Sequence, residues 1–145
     1  MWKMLVFGLV ITAPFANAIA MHPPEMNFTN RDKVCMATAL YHEARGEPKA
    51  GQKAVLGVIL ERAKQPRVFG NGVCGVVFKK GQFSWTKYTK TALRDSDFDR
   101  MMDVVDETLM DSKIPCQSTR YFTSGRYSGK ARDVCIIGRH RFYNI

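Results

Sequence analysis

Acidic residues are scarce in this chain: 13 Asp and Glu stand against 22 Lys and Arg, a formal net charge of +9. A protein so unbalanced is drawn to polyanions, and charge alone does not choose among nucleic acid, anionic lipid and bacterial wall polymers. No Cys-x-x-Cys pair occurs among Cys35, Cys74, Cys116 and Cys135, so the usual zinc-finger or ribbon spacing is missing. A long apolar run is missing too. The segment Leu5 to Phe15 is interrupted by Gly8, Thr12 and Pro14 and falls short of the ~20 residues that a bilayer span requires. With no internal repeat and no linker, 145 residues read as one domain, long enough to bury its own core.

What does stand at the start is the pattern of an export signal. Met1-Trp2-Lys3 supplies a positive charge, the short apolar run follows, and Ala16-Asn17-Ala18 places small residues where a signal peptidase cuts. Cleavage is expected after Ala18, with Ala20 the next choice and a retained anchor the main alternative. Residues 19–30, with Pro23, Pro24 and Asn27, read as an extended leader, and 31–145 as the folded domain. Losing residues 1–18 removes only Lys3, so 21 basic residues still face 13 acidic ones. Export to an oxidising compartment turns four cysteines into a disulfide framework. Three pairings are open; Cys35 with Cys74 and Cys116 with Cys135 is favoured, because each pair then ties neighbouring segments. Periplasm, medium and host envelope all suit such a protein, and wall polymer is the polyanion within reach. No nucleic-acid partner, no stable membrane insertion after cleavage, no metal and no cofactor are expected, and the domain reads as a monomer.

Helix signals begin at Thr29 and Asn30, good N-cap residues with Asp32 in the first turn. Val34, Ala37, Tyr41 and Ala44 then recur at helical spacing, predicting a helix over 31–45 that Gly46 caps and Pro48 ends. A second helix over 48–64 carries Ala54, Val55, Leu56, Val58, Ile59 and Leu60 on most of its sides and reads as the buried central helix. Residues 68–91 show no sustained period and read as loops and short pieces forming one wall of a cleft. A third helix opens at Ser96 or Asp97 with the stripe Phe98, Met101, Met102, Val105 and Leu109 and stops before Pro115. The β-branched and aromatic segments 119–123 and 134–143 predict a hairpin or small sheet. The expected class is α+β: a helix-rich, lysozyme-like single domain with a small sheet near the C-terminus.

Glu43 is the candidate catalytic residue. It lies about 120° around the first helix from the core stripe, so its side chain can leave the core near the helix end. Cover from Trp85 or Phe83 would raise its pKa toward that of a general acid. Its bland alternative is a solvated acidic edge, with Glu43 and Glu47 pairing with Arg45, Lys49 or Lys53. Glycoside cleavage usually needs a second carboxylate, and Glu47 is the only one nearby. A structural place for Glu47 at the start of the second helix is equally compatible with its position. His42-Glu43 begins like a zinc-protease helix, but Gly46 stands where the second His belongs. Ser84 lacks a nucleophile-elbow context, which weakens serine catalysis.

Four separated segments go further together: Tyr41-His42-Glu43-Ala44-Arg45-Gly46-Glu47-Pro48 with Gly51-Gln52; Val73-Cys74-Gly75-Val76-Val77; Gly81-Gln82-Phe83-Ser84-Trp85; and Ile137-Gly138-Arg139-His140-Arg141-Phe142-Tyr143. In that order the chain resembles the SleB-type cell-wall hydrolases, the spore-cortex-lytic and phage-lysin family, over roughly residues 33–145. The resemblance implies a lytic transglycosylase acting on peptidoglycan glycan strands. In that reaction one glutamic acid protonates the bond between N-acetylmuramic acid and N-acetylglucosamine, then acts as base while a 1,6-anhydro ring closes. The other motifs would build the groove: Gln82 and Ser84 as hydrogen-bonding groups, Phe83, Trp85 and Tyr121 as flat faces for pyranose rings, and His140 as a substrate contact. Gln52 would orient the Glu43 region from behind, with Glu47 supporting. Phe83 and Trp85 could equally fill the core, Gln82 and Ser84 could cap a turn, and His140 could simply pack. One departure stands out: several relatives carry a cysteine just before Gln-Phe-Ser, where this chain has Gly81. Nor is a separate wall-binding module evident, so wall affinity is expected from the basic domain itself.

Two rivals remain at this point. A water-using muramidase or glucosaminidase would need Glu47 as its second acid. A non-catalytic basic module would instead use Lys79, Lys80, Lys87, Lys90 and Arg94, interleaved with Phe83, Trp85 and Tyr88, to track a polyanion by charge and stacking.

Overall fold

The computed structural model describes residues 27–89, 95–126 and 129–145. The expected export signal, residues 19–26 of the leader, and Lys90 and Arg94 of the basic stretch lie outside them. Helix α1 spans Asn30–Ala44 and starts where its chemistry dictates: the Thr29 hydroxyl accepts from the Asp32 N–H at 3.2 Å, while the Asp32 carboxylate accepts from the Thr29 N–H at 3.0 Å. Two orphan donors are thereby satisfied. At the other end Arg45, in right-handed conformation, takes the C-cap place expected for Gly46, and the Glu47 N–H donates to the Ala44 carbonyl at 2.9 Å.

Helix α2 (Lys49–Ala63) follows after Pro48 and is buried almost all round, as its apolar content predicts. The narrow stripe expected for α1 is too modest. Every residue from Cys35 to Tyr41 is buried, whereas Val34, assigned to the stripe, is exposed. The reason is that α1 is enclosed on several sides, packing against α2, against α4 (Gly72–Phe78) and against α5 (Ser96–Met110).

The described part of that segment, residues 68–89, departs most from expectation, because it is largely helical. A single turn, α3 (Pro66–Phe69), leads into α4, which buries Val73, Val76 and Val77 on the face that meets α1 and α2; a 3₁₀ turn then covers Ser84–Lys87. Helix α5 begins at an Asp95 N-cap, whose carboxylate accepts from the Phe98 N–H at 3.0 Å and from the Tyr41 hydroxyl at 3.1 Å. Its buried face is Phe98, Met101, Val104, Val105 and Thr108, with Met102 and Leu109 only half-buried beside it.

The expected hairpin is a three-stranded antiparallel sheet, β1 (Tyr121–Thr123), β2 (Arg132–Ile137) and β3 (His140–Asn144), in the order β1-β3-β2. Phe142 lies in the central strand, opposite Phe122 on one side and Cys135 on the other, and is fully buried. Both favoured disulfides are present. Cys35–Cys74 joins α1 to α4, and Cys116–Cys135 joins the approach to β1 onto β2. Among the described residues no helix is long and apolar enough to cross a membrane.

Candidate active site

The last turn of α1 brings Glu43 to the edge of the core, beside the end of α2, the 81–87 segment and β1. There it lines a cleft of about 350 Å³ together with Arg62, Gln82, Phe83, Ser84 and Phe122, with Lys87 nearby on the same wall. Burial raises the Glu43 pKa above the ordinary carboxyl value; the Trp85 indole N–H and the Arg62 charge act against it and are outweighed. Its carboxyl therefore holds a proton to higher pH than a surface glutamate. A larger depression of about 510 Å³ lies toward the start of α1, between Arg31, Gly75, Phe78 and Thr86, and its described lining holds no carboxylate.

Trp85 is not among the described residues that line the cleft. Its ring stacks on the His42 imidazole, 4.4 Å between centroids and 19° between planes, and meets the edge of Phe78. The indole N–H has no acceptor within hydrogen-bonding geometry among the described residues, yet it lies close enough to favour the charged form of Glu43. The His42 Nε2 atom is likewise buried without a partner, and burial together with the Arg45 charge lowers the His42 pKa. The His42 imidazole and the Trp85 indole thus sit as one stacked pair at the helix end, with the Glu43 carboxyl near the indole N–H.

Glu47 is turned away from this cleft. Its carboxylate takes the Arg139 backbone N–H at 2.9 Å and the Arg139 Nε at 2.7 Å, so it clamps the β2–β3 turn onto the start of α2. Burial is the largest single influence and would raise its pKa, but the two hydrogen bonds and the nearby His140 and Arg139 charges together outweigh it and hold the pKa below the ordinary value. Gly138 makes the clamp fit: its φ is +57°, and a β-carbon there would collide with the Glu47 carboxylate and the Pro48 ring. Gln52 is also buried, and its amide N–H donates to the Ala44 carbonyl at 3.2 Å and to the Glu47 carbonyl at 3.1 Å. It fastens the corner immediately after Glu43.

The remaining sequence candidates divide. Gln82, Phe83 and Ser84 meet Glu43 at the cleft. Tyr121 stacks on Tyr143 at 5.8 Å, away from the described lining, while its neighbour Phe122 fills the place facing the cleft. His140 is buried, edge-on to Phe122 at 5.2 Å, with Nδ1 unpartnered among the described residues; burial lowers its pKa, offset in part by Glu47.

Sequence reading misses Arg62. Only 6% exposed at the end of α2, it donates from Nε to the Arg120 carbonyl at 2.7 Å and from a terminal nitrogen to the Gln82 side-chain oxygen at 2.9 Å. Its guanidinium also lies over the rings of Phe69, Phe83 and Tyr121. An arginine in the last turn of a helix reads as a solvated, dipole-matched residue. The aromatic residues that enclose it come from three other segments.

Solved structures share this arrangement of helices and sheet. The catalytic domain of the Bacillus cereus SleB protein matches with a TM-score of 0.69 at 27% identity, covering 82% of this chain and 94% of that one. The catalytic domain of the germination-specific lytic transglycosylase SleB from Bacillus anthracis matches at 0.67 and 26% identity, covering 82% and 98%. The fold is therefore that of a SleB-type catalytic domain. The family described as Cell Wall Hydrolase matches residues 46–143, and the chain belongs to that family. Among relatives, the spore cortex-lytic enzyme of Bacillus subtilis is 44% identical over 68 residues, and that of Halalkalibacterium halodurans 46% identical over 57. Those stretches are 47% and 39% of this chain but 22% and 17% of the two relatives, so the chain aligns with about a fifth of each.

Proposed function

We propose that the chain is an exported, peptidoglycan-cleaving lytic transglycosylase with Glu43 as its acid and base. The observation that carries this reading is that Glu43 is the one carboxylate on the described lining of the cleft, while Glu47 is committed to the β2–β3 turn. A water-using glycosidase of the usual kind needs two carboxylates flanking the bond. One acid suffices where the substrate supplies its own nucleophile. Protonated Glu43 gives its proton to the glycosidic oxygen as the bond from muramoyl C1 breaks, releasing the 4-hydroxyl of N-acetylglucosamine. The resulting carboxylate then takes the proton of the muramoyl C6 hydroxyl as that oxygen bonds to C1. A 1,6-anhydro ring closes, Glu43 is again protonated, and no water is consumed. Its raised pKa suits the first step, since the acid must hold a proton before it can give one.

Gln82 and Ser84 would hold the polar edges of the sugars, and Phe83 and Phe122 their apolar faces. The formal charge of +9 suits a polyanionic envelope, and the N-terminal pattern suits export to it. Mass spectrometry of soluble products from purified peptidoglycan, with Glu43→Gln alongside, tests the reading. Anhydromuramoyl ends that vanish in the variant are expected. Reducing ends would make the protein a hydrolase, and no products from either protein would make it a binding module.

A further inference from the structure

We propose that Arg62 acts as a specificity-determining residue by fixing the Gln82 amide with its oxygen on the guanidinium, so that its NH₂ selects N-acetylated over de-N-acetylated sugars. The inference rests on reading the Glu43 cleft as a glycan site. An arginine side chain donates hydrogen bonds and accepts none, so the Gln82 atom lying 2.9 Å from the Arg62 guanidinium must be the amide oxygen. The amide cannot turn over without setting N–H against N–H. Arg62 itself cannot drift, because its Nε is held on the Arg120 carbonyl and aromatic rings enclose the guanidinium. Gln82 lines the cleft with Glu43, and its remaining polar group is an NH₂ with two donors.

Only a hydrogen-bond acceptor matches that group. A sugar hydroxyl both donates and accepts and meets either orientation of an amide, so it conveys little selectivity. An acetamido carbonyl accepts only and fits. The ammonium of a de-N-acetylated amino sugar donates only, and it also meets the buried positive charge of Arg62, where water screens little. Glu43 is the one group on the described lining that would attract such an ammonium, and its raised pKa weakens that attraction by favouring the neutral acid. A site built to satisfy one polarity rejects the opposite one because its own buried groups would be left unpaired.

The test compares the N-acetylglucosamine trimer with the glucosamine trimer by NMR titration against the wild-type protein and Gln82→Glu. Digestion of wall before and after chemical de-N-acetylation is followed in parallel. Glutamate keeps a partner for Arg62 but presents an acceptor to the cleft, and the half-buried surface position tolerates it. Wild type should bind the acetylated trimer about tenfold more tightly or better, and Gln82→Glu should erase or reverse that preference. Arg62→Met, checked for folding by circular dichroism, should relax it, because a thioether donates no hydrogen bond and the amide then becomes free to turn. An active wild-type protein indifferent to N-acetylation, or a Gln82→Glu variant that keeps the wild-type preference, overturns the proposal and leaves the transglycosylase reading standing. A protein that digests no wall yet shows the preference, with its loss in Gln82→Glu, upholds the proposal and removes that reading instead.

Discussion

Glu47 and Arg139, 92 positions apart in sequence, lock the start of α2 to the tip of the sheet through two hydrogen bonds to one carboxylate. Because these bonds hold the folded-state pKa of Glu47 below its unfolded value, the stability they supply is present above the unfolded pKa and is lost as pH falls through the folded one. Glu47→Gln should cost about 1–3 kcal/mol at neutral pH and progressively less in acid. Urea unfolding at pH 7 and at about pH 3 measures both. The variant should still yield anhydromuramoyl ends, whereas a two-carboxylate hydrolase would lose nearly all turnover.

Gly138→Ala tests the same clamp from the other side. The left-handed backbone alone disfavours a side chain by about 1–3 kcal/mol, and the added methyl must displace the carboxylate it meets. A lowered melting temperature is expected, with protection of the Arg139 amide from hydrogen exchange reduced.

Glu43→Gln should abolish catalysis and stabilise the fold together. General acid–base groups contribute about 10²–10⁴-fold, and in the proposed reaction the same residue serves both steps. Its folded pKa is raised, so the energetic cost of the charged form develops as pH climbs from the unfolded pKa through the folded one. The variant should therefore melt at a higher temperature than wild type at neutral pH, with the gap closing in acid. Calorimetric scans across pH read this directly.

Trp85→Phe removes the indole N–H that favours charged Glu43 while keeping apolar cover and a ring against His42. The Glu43 pKa should rise further, and the alkaline fall of kcat/KM should move to higher pH. His42→Phe should preserve the stack and most activity, whereas His42→Ala should lose more of kcat than of KM. Equal losses in both His42 variants would contradict the stacked arrangement.

The two disulfides close loops of 39 and 19 residues. Chain entropy assigns each roughly 3–4 kcal/mol, the longer loop slightly more. Alanine replacement of either pair should lower the melting temperature, and reductant should have the same effect on the wild-type protein.

Local chemistry made the ends of α1 and α2 legible, because the Thr29–Asp32 capping box and Pro48 act within one turn of the residues they punctuate. Helix α4 was not, since Gly72 and Gly75 lower its intrinsic helicity and its stability comes from packing on α1 and α2. Yet Val73, Val76 and Val77 do hold a helical spacing. Glu43 was legible as a cleft acid from its angle to the core residues of α1. The commitment of Glu47 was not, because its partner lies in the last hairpin. Arg62 is the same case in stronger form: nothing within its own helix announces the rings that surround it.

The segment matched to the family begins at residue 46, immediately after α1, yet α1 carries Glu43, one half of a disulfide and the largest share of the packing onto α5. A fragment cut at that boundary would bare the apolar faces of α4 and α5 and lack the proposed acid altogether. The smallest unit able to carry the proposed chemistry is thus longer than the segment by which its kinship is recognised, and grafting experiments should begin no later than the Thr29 cap.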